Sequence, residues 1–260
     1  MKDTLKIALI QTALHWEDPE ANRLAFEKKL NTLESEDLDV IILPEMFTSG
    51  FTMHPERVAE AMNGDTAQWL KNMSKTTNAA ITGSLVVEEN GNYFNRLLFV
   101  EPSGETSYYD KKHTFSLAGE DKVYEAGNEK VIITYKGWQL CPMICYDLRF
   151  PVWSRNVEDY DVLFYVANWP EKRVAAWDAL LKARAIENMA YCIGVNRVGL
   201  DGNNHPYVGH SAVYDVLGDP VVEPTDRDGI CITSLNKNHI ETLRGKLKFL
   251  QDRDSFSLKV

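Results

Sequence analysis

The chain has 260 residues, of which 44% are hydrophobic and 25% are charged, and its formal net charge is -10. A chain of this length can bury a substantial core, and without a linker or short repeat it is expected to form one domain over residues 1–260. The acidic balance, with no basic stripe, argues against nucleic acid or an anionic membrane as a partner. The amino terminus has no signal-peptide pattern, and no apolar run is long enough to cross a membrane. We therefore expect a cytoplasmic protein with reduced thiols.

The first half of the chain alternates apolar strands with amphipathic helices. Asp18 followed by Pro19 is typical of a helix start, and Phe26, Leu30 and Leu33 then recur on one helical face. The other predicted elements are strands at 5–11, 40–43, 79–87 and 93–100, a helix at 65–73, and a hairpin turn rich in Asn and Gly at 88–92.

The second half continues this alternation. Strands are predicted at 131–135, 138–145, 162–166, 191–198, 211–214 and 230–234, and a long helix at 175–189. Buried strands, hairpins and helices in this mixture indicate a layered α/β protein. The pattern does not give the order of the strands.

Cys145 ends an apolar run that starts at Trp138, and polar residues and then Pro151 follow it. This pattern is typical of a buried strand that delivers a nucleophile into a sharp turn. A nucleophilic thiol needs a nearby base or positive charge, because the thiolate is the reactive form. Without the other motifs a buried structural cysteine is the more common interpretation, and that is the interpretation for Cys141. The four cysteines lack the paired spacing of a zinc site, so no metal site is predicted.

Two charged residues suggest partners for this cysteine. Glu45 directly follows the apolar run 40–44, and Lys111 lies in the charged segment 110–115. Glu45, Lys111 and Cys145 at this spacing resemble the Glu-Lys-Cys triad of the nitrilase superfamily, the carbon-nitrogen hydrolases, and the resemblance spans almost the whole chain. It implies a four-layer α-β-β-α sandwich that is commonly a homodimer, and it implies no metal or organic cofactor.

The resemblance also implies a role for each residue. Cys145 is expected to attack an amide carbon and form a thioester, with Glu45 as general base. Lys111 and the backbone N–H of Tyr146 are expected to stabilise the oxyanion. The segment 120–128 is similar to the family segment that supplies a second glutamate, so Glu120 is expected to hold Lys111 and the substrate.

The neighbouring lysine makes the assignment of Lys111 ambiguous from the residues alone. The family pattern Lys-x-His selects Lys111 rather than Lys112 as the catalytic lysine. It leaves His113 to orient the loop.

Segments around and beyond the cysteine are similar to the bacterial omega-amidase branch: 145–156, 165–173, 183–188 and 249–256. That branch hydrolyses the terminal amide of 2-oxo dicarboxylic acid monoamides, namely 2-oxoglutaramate and 2-oxosuccinamate. The triad does not separate this activity from that of an N-carbamoyl amino acid hydrolase or an aliphatic amidase. A binding protein with a retired site is the alternative from another class, and the intact triad argues against it.

Such a substrate carries a carboxylate remote from its amide, and a bidentate arginine suits that group best. Arg149 and Arg173 are the candidates, although each is also compatible with a salt bridge to Asp147, to Asp178 or across an interface. Aromatic residues near the motifs are predicted to form the apolar walls of the pocket: Phe47, Phe115, Tyr146 and Trp169.

Overall fold

A computed structural model describes residues 2–33 and 35–258. The strands are β1 (Thr4–Gln11), β2 (Val40–Ile42), β3 (Ala80–Glu89), β4 (Asn92–Val100), β5 (Thr106–Asp110), β6 (Ile133–Tyr135), β7 (Trp138–Ile144), β8 (Val162–Ala167), β9 (Tyr191–Asn196), β10 (Val198–Leu200), β11 (Pro206–Val208), β12 (Ala212–Tyr214), β13 (Pro220–Val222) and β14 (Gly229–Asn236). The helices are α1 (Pro19–Asn31), α2 (Asp65–Thr77), α3 (Pro151–Ser154), α4 (Val174–Asn188) and α5 (Lys237–Leu247). No helix within the described ranges has the length and apolar character needed to cross a membrane.

Two six-stranded sheets form the centre of the molecule. Their strand orders are β14-β1-β2-β3-β4-β5 and β13-β12-β9-β8-β7-β6, and β10 and β11 form a separate hairpin. The central strands β1 to β3 and β7 to β9 run parallel, whereas the outer strands pair antiparallel. Parallel central strands are covered on both faces, which explains their nearly continuous apolar sequences.

The side chains of β1 show how the layers stack. Ile7 and Leu9 share a core with residues of β7 and β8, whereas Ala8 and Ile10 share a second core with α1 and α2. Successive side chains of a strand point to opposite faces, so the first sheet lies between those helices and the second sheet. Helix α4 packs on the far side of the second sheet, against β9 and β12. The predicted α-β-β-α order is confirmed.

The predicted start of the first helix and the predicted hairpin turn are both confirmed. The Asp18 side chain accepts a hydrogen bond from the Ala21 N–H at 3.0 Å, and Pro19 opens α1. Such a cap contributes about 1 kcal/mol. The β3–β4 hairpin turns at Asn90 and Gly91, whose φ angles of 54° and 80° match the primed turn that suits the twist of paired strands.

Several elements were not predicted: β5, β10, β11, β13, α3 and α5. Strand β5 buries only Tyr109, and α5 buries only Ile240, so neither shows a strong apolar period. The other three strands have three residues each and α3 has four, which is too short for a periodic signal. Helix α2 also continues beyond its predicted end and finishes at Thr77.

Candidate active site

The site lies where strands of the two sheets end. Glu45 follows β2 and Lys111 follows β5, both in the first sheet, while Cys145 follows β7 and Asn168 follows β8 in the second. Strand β5 is antiparallel to β4, which is antiparallel to β3, so β5 ends at the same edge as β2. The carboxyl ends of strands are where open α/β sheets place their binding sites.

Cys145 occupies the predicted sharp turn. Its φ angle is 45°, in the left-handed region that strains a residue other than glycine. It opens a short 3-10 turn, and the early N–H groups of such a turn have no partner within it. The backbone of this turn therefore presents the thiol and the Tyr146 N–H together.

Asp147 fixes the turn, and the sequence interpretation did not assign it this role. Its buried carboxylate accepts hydrogen bonds from the Ile144 N–H at 3.0 Å, the Tyr109 hydroxyl at 2.8 Å and the His113 N–H at 2.9 Å. The His113 ring also lies 2.8 Å from Asp147 and stacks on Phe150. His113 thus joins the lysine segment to the cysteine turn, as its predicted orienting role requires.

Lys111 lies between two buried carboxylates. Its Nζ is 2.9 Å from Glu45 Oε1 and 2.9 Å from each carboxylate oxygen of Glu120. All three side chains are at most 1% exposed. Burial alone lowers the pKa of Lys111, but the charges of Glu120 and Glu45 reverse that effect and hold its pKa above the ordinary value. The lysine therefore provides a permanent positive charge.

Two asparagines orient Glu45, and the sequence interpretation missed both. Asn95 donates from Nδ2 to Glu45 Oε1 at 2.8 Å. Asn168 donates its backbone N–H to Glu45 Oε2 at 2.7 Å and its Nδ2 to the Glu45 carbonyl at 2.5 Å. A polar residue buried in an apolar strand, as Asn95 is in β4, was the available signal, because such residues need a partner.

The surroundings of Cys145 favour the neutral thiol. Burial and the neighbouring Glu45 carboxylate raise its pKa well above the ordinary value, and the opposing effect of Lys111 does not compensate. The proton must leave as the sulfur attacks, which requires a base beside it.

A narrow pocket of about 40 Å³ reaches Cys145. Its lining includes all five predicted substrate-binding residues: Phe115, Tyr146, Arg149, Trp169 and Arg173. Arg149 lies over the Trp169 ring and Arg173 over the Phe115 ring, each at 5.0 Å from the ring centroid. Neither arginine makes the alternative ion pair with Asp147 or Asp178, which pair instead with His113 and His210.

Phe47 was wrongly predicted as a pocket wall. The chain turns sharply at Met46, where φ is 42°, and Phe47 falls on the helix side of the first sheet. There its ring packs against Phe26, with centroids 5.4 Å apart. Phe51 lines the pocket instead, and its ring centroid is 5.0 Å from Lys111 Nζ.

Lys112 points elsewhere. Its Nζ lies 5.5 Å from the Trp153 ring centroid. The hydrogen bonds from a lysine to the two buried glutamates all come from Lys111. The geometry therefore brings Lys111, and not its neighbour, to the cysteine turn.

Residues 6–245 match the family model of the carbon-nitrogen hydrolases. Together with the layered fold and the buried cluster around the cysteine, this match shows that the chain belongs to the carbon-nitrogen hydrolase family of enzymes.

Two similar proteins are named as amidases. Omega-amidase YafV of Escherichia coli strain K12 is 44% identical over 255 residues, covering 98% of each chain. A 2-oxoglutaramate amidase of Bacillus subtilis is 31% identical over 224 residues, covering 84% of this chain and 86% of the relative.

Crystal structures agree with the fold. A CN-hydrolase superfamily protein from Xanthomonas campestris, with an arsenic adduct in its active site, superposes with a TM-score of 0.97 at 42% identity over 100% of both chains. Saccharomyces cerevisiae Nit3, of the nitrilase superfamily, superposes with a TM-score of 0.86 at 21% identity over 95% of both chains. The second likeness concerns the fold alone.

Proposed function

We propose that this protein is an omega-amidase that converts 2-oxo dicarboxylic acid monoamides, such as 2-oxoglutaramate and 2-oxosuccinamate, to the 2-oxo acid and ammonia. The observation that carries the proposal is the full-length similarity to omega-amidase YafV. The pocket supports it, because Cys145 shares a narrow space with two arginines that have no carboxylate partner among the described residues.

In the first half-reaction, Glu45 accepts the proton of the Cys145 thiol as the sulfur attacks the amide carbon. The raised thiol pKa favours this concerted transfer. The oxyanion is stabilised by the Lys111 ammonium and the Tyr146 N–H. The carbon–nitrogen bond then breaks, and ammonia leaves with the proton that Glu45 held.

In the second half-reaction, Glu45 removes a proton from water, and the resulting hydroxide attacks the thioester carbon. The carbon–sulfur bond breaks, and the sulfur recovers its proton from Glu45. Glu120 keeps Lys111 in place through both steps, because it binds Nζ through both of its oxygens. Neither step requires a metal or an organic cofactor.

Arg149 and Arg173 are proposed to bind the remote carboxylate of the substrate. Each guanidinium lies over an aromatic ring and retains its N–H donors for an anion. Phe115, Tyr146 and Trp169 form the apolar walls around the carbon chain.

The test is ammonia release from 2-oxoglutaramate, glutamine, an N-carbamoyl amino acid and a neutral aliphatic amide. We expect preference for 2-oxoglutaramate, and we expect Cys145→Ala to lose at least about a thousandfold in kcat because the nucleophile is gone. Preference for another amide would contradict the omega-amidase assignment. Activity of Cys145→Ala above about a tenth of wild type would contradict the nucleophile.

We also propose that residues 1–260 form one domain that assembles as a homodimer in the cytoplasm, with neither nucleic acid nor a membrane as partner. The cores shared between the sheets support one domain, and a single cooperative unfolding transition is expected. A reducing compartment suits an enzyme whose nucleophile is a free thiol. Cell fractionation tests the location.

A further inference from the structure

A second, larger cavity of about 670 Å³ opens onto the active-site pocket. The two spaces share Phe51, Phe115, Pro170, Arg173 and Tyr207. We call the larger one the vestibule; it also reaches Arg57, Lys172, Glu17 and Asp201. Because the pocket around Cys145 is narrow and the vestibule adjoins it, a substrate that enters this way passes the vestibule first.

The vestibule wall carries more cationic side chains than carboxylates. Arg57, Lys172 and Arg173 are the cationic side chains, and Glu17 and Asp201 are the carboxylates. Glu17 is already engaged, since it lies 3.0 Å from Arg57 Nη1 and accepts the Thr52 hydroxyl at 2.5 Å.

Asp201 is engaged as well. It accepts the N–H groups of Asn203 at 2.8 Å and His205 at 2.9 Å, and the Tyr207 hydroxyl at 3.2 Å. Burial opposes its charge, but the N–H groups of His205 and Asn203, together with the His205 ring 3.1 Å away, outweigh burial and lower the pKa of Asp201. Asp201 therefore stays ionised, and the vestibule wall still carries three cationic side chains against two carboxylates.

Lys172 and Arg173 are left without carboxylate partners in the described part of the chain. Lys172 is exposed at the vestibule wall, and Arg173 lies where the vestibule meets the pocket. The whole chain carries a net charge of -10, so the unpaired positive charge beside the active site is opposite in sign to the charge of the protein as a whole. Clefts lined by one sign of charge concentrate ligands of the opposite sign.

We propose that the vestibule captures anionic amides and that Lys172 is a specificity-determining residue, which attracts them toward Arg173 without contacting the bound substrate. This inference rests on the proposed function because it assumes that the substrate is an amide that also carries a carboxylate. It does not depend on the 2-oxo group, because the attraction acts on charge alone.

The experiment compares Lys172→Glu with wild type on two amides of similar length, anionic glutaramate and neutral valeramide. At about 10 mM ionic strength, where screening is weak, we expect kcat/KM for glutaramate to fall roughly 3- to 5-fold. That is the effect of reversing one charge at a separation on the order of 10 Å in water. The kcat for glutaramate and the kcat/KM for valeramide should stay unchanged. The loss should disappear near 0.5 M salt, where the Debye length is only about 4 Å.

Lys246→Glu is the matched control, because Lys246 is an exposed lysine of α5 that lines neither cavity. It makes the same change in net charge and should leave both substrates unaffected. Equal losses on the two amides, a loss that persists in high salt, or an equal effect of Lys246→Glu would overturn the inference. If the enzyme does not hydrolyse 2-oxoglutaramate but Lys172→Glu still lowers kcat/KM for glutaramate selectively, only the omega-amidase assignment is contradicted.

Discussion

At the residue scale, one lysine holds two carboxylates together. Glu45 and Glu120 are both buried, and each lies 2.9 Å from Lys111 Nζ. Removing one partner of a buried ion pair leaves an uncompensated charge, which is far more costly than losing a surface pair. The same contacts that hold Lys111 in its proposed catalytic position therefore also keep the two acids compatible with a folded state.

Lys111→Ala is expected to lower kcat by at least about a hundredfold, because an oxyanion donor typically contributes a factor of 10² to 10³. It should also lower stability, since two buried carboxylates remain. Lys112→Ala is the control, with near wild-type kcat, because Lys112 lies over Trp153. Steady-state ammonia release and a urea unfolding curve measure both effects. If Lys112→Ala were the inactive variant, the assignment of Lys111 would be wrong by one position.

The sequence indicated the reactive residues of this site but not the residues that hold them in place. Cys145 and Glu45 stand at the ends of apolar runs, whereas the family pattern Lys-x-His picked out Lys111. Asn95 and Asp147 carry no such pattern, because their roles depend on partners far along the chain. Asn95 reaches Glu45 across 50 residues.

At the element scale, the packing of α4 on β9 leaves no room for a side chain at Gly194. A Cβ there would lie 2.4 Å from Leu181 Cδ1 and 2.6 Å from Trp177 Cζ2. Both partners are fully buried and cannot move aside easily. The absence of a side chain at Gly194 therefore lets α4 pack closely on the second sheet.

Gly194→Ala is expected to reduce the free energy of unfolding by about 1–3 kcal/mol, the usual cost of overpacking a core. Gly229→Ala is the matched control at the start of β14, where a Cβ would meet nothing within 4 Å. Equilibrium urea unfolding of both variants measures the difference. Equal stabilities would show that the helix shifts to accept the methyl group.

Elements with strong periodicity or a definite turn signal were predictable, whereas those stabilised mainly by their neighbours were not. Strand β5 shows the limit, since it ends directly before Lys111 yet has mixed polarity. Its pairing with β4, where Asp110 lies opposite Arg96, supplies what its own sequence lacks. Asp110 and Arg96 form a bidentate pair at 2.6 and 2.9 Å.

At the scale of the whole molecule, some apolar side chains stay exposed on the helical side of the second sheet. Ile186 of α4 is 45% exposed, and Leu217 in the turn after β12 is 44% exposed. The chain next to Leu217 approaches Ile186, because a Cβ at Gly218 would lie 2.7 Å from Ile186. A helical face of this kind suits the proposed homodimer.

Light scattering is expected to give a native mass of twice 29.6 kDa. Ile186→Lys should shift the mass toward that of one chain, because a buried charge disfavours the contact. Glu241→Lys, an exposed change on α5, serves as the control. A wild-type mass of 29.6 kDa would remove the dimer proposal. It would leave the catalytic proposal intact, since one chain supplies the whole described cluster.

The sequence by itself determined the layered fold class and the principal strands and helices, because these depend on local periodicity and turn chemistry. The three residues predicted for the centre of the site came from their spacing together with the family pattern. Only the tertiary structure decided the strand order, the replacement of Phe47 by Phe51 and the charged vestibule. The physical reason is sequence distance. Glu45 meets Asn168 across 123 residues, and that contact exists only because two sheets place their strand ends at a common edge.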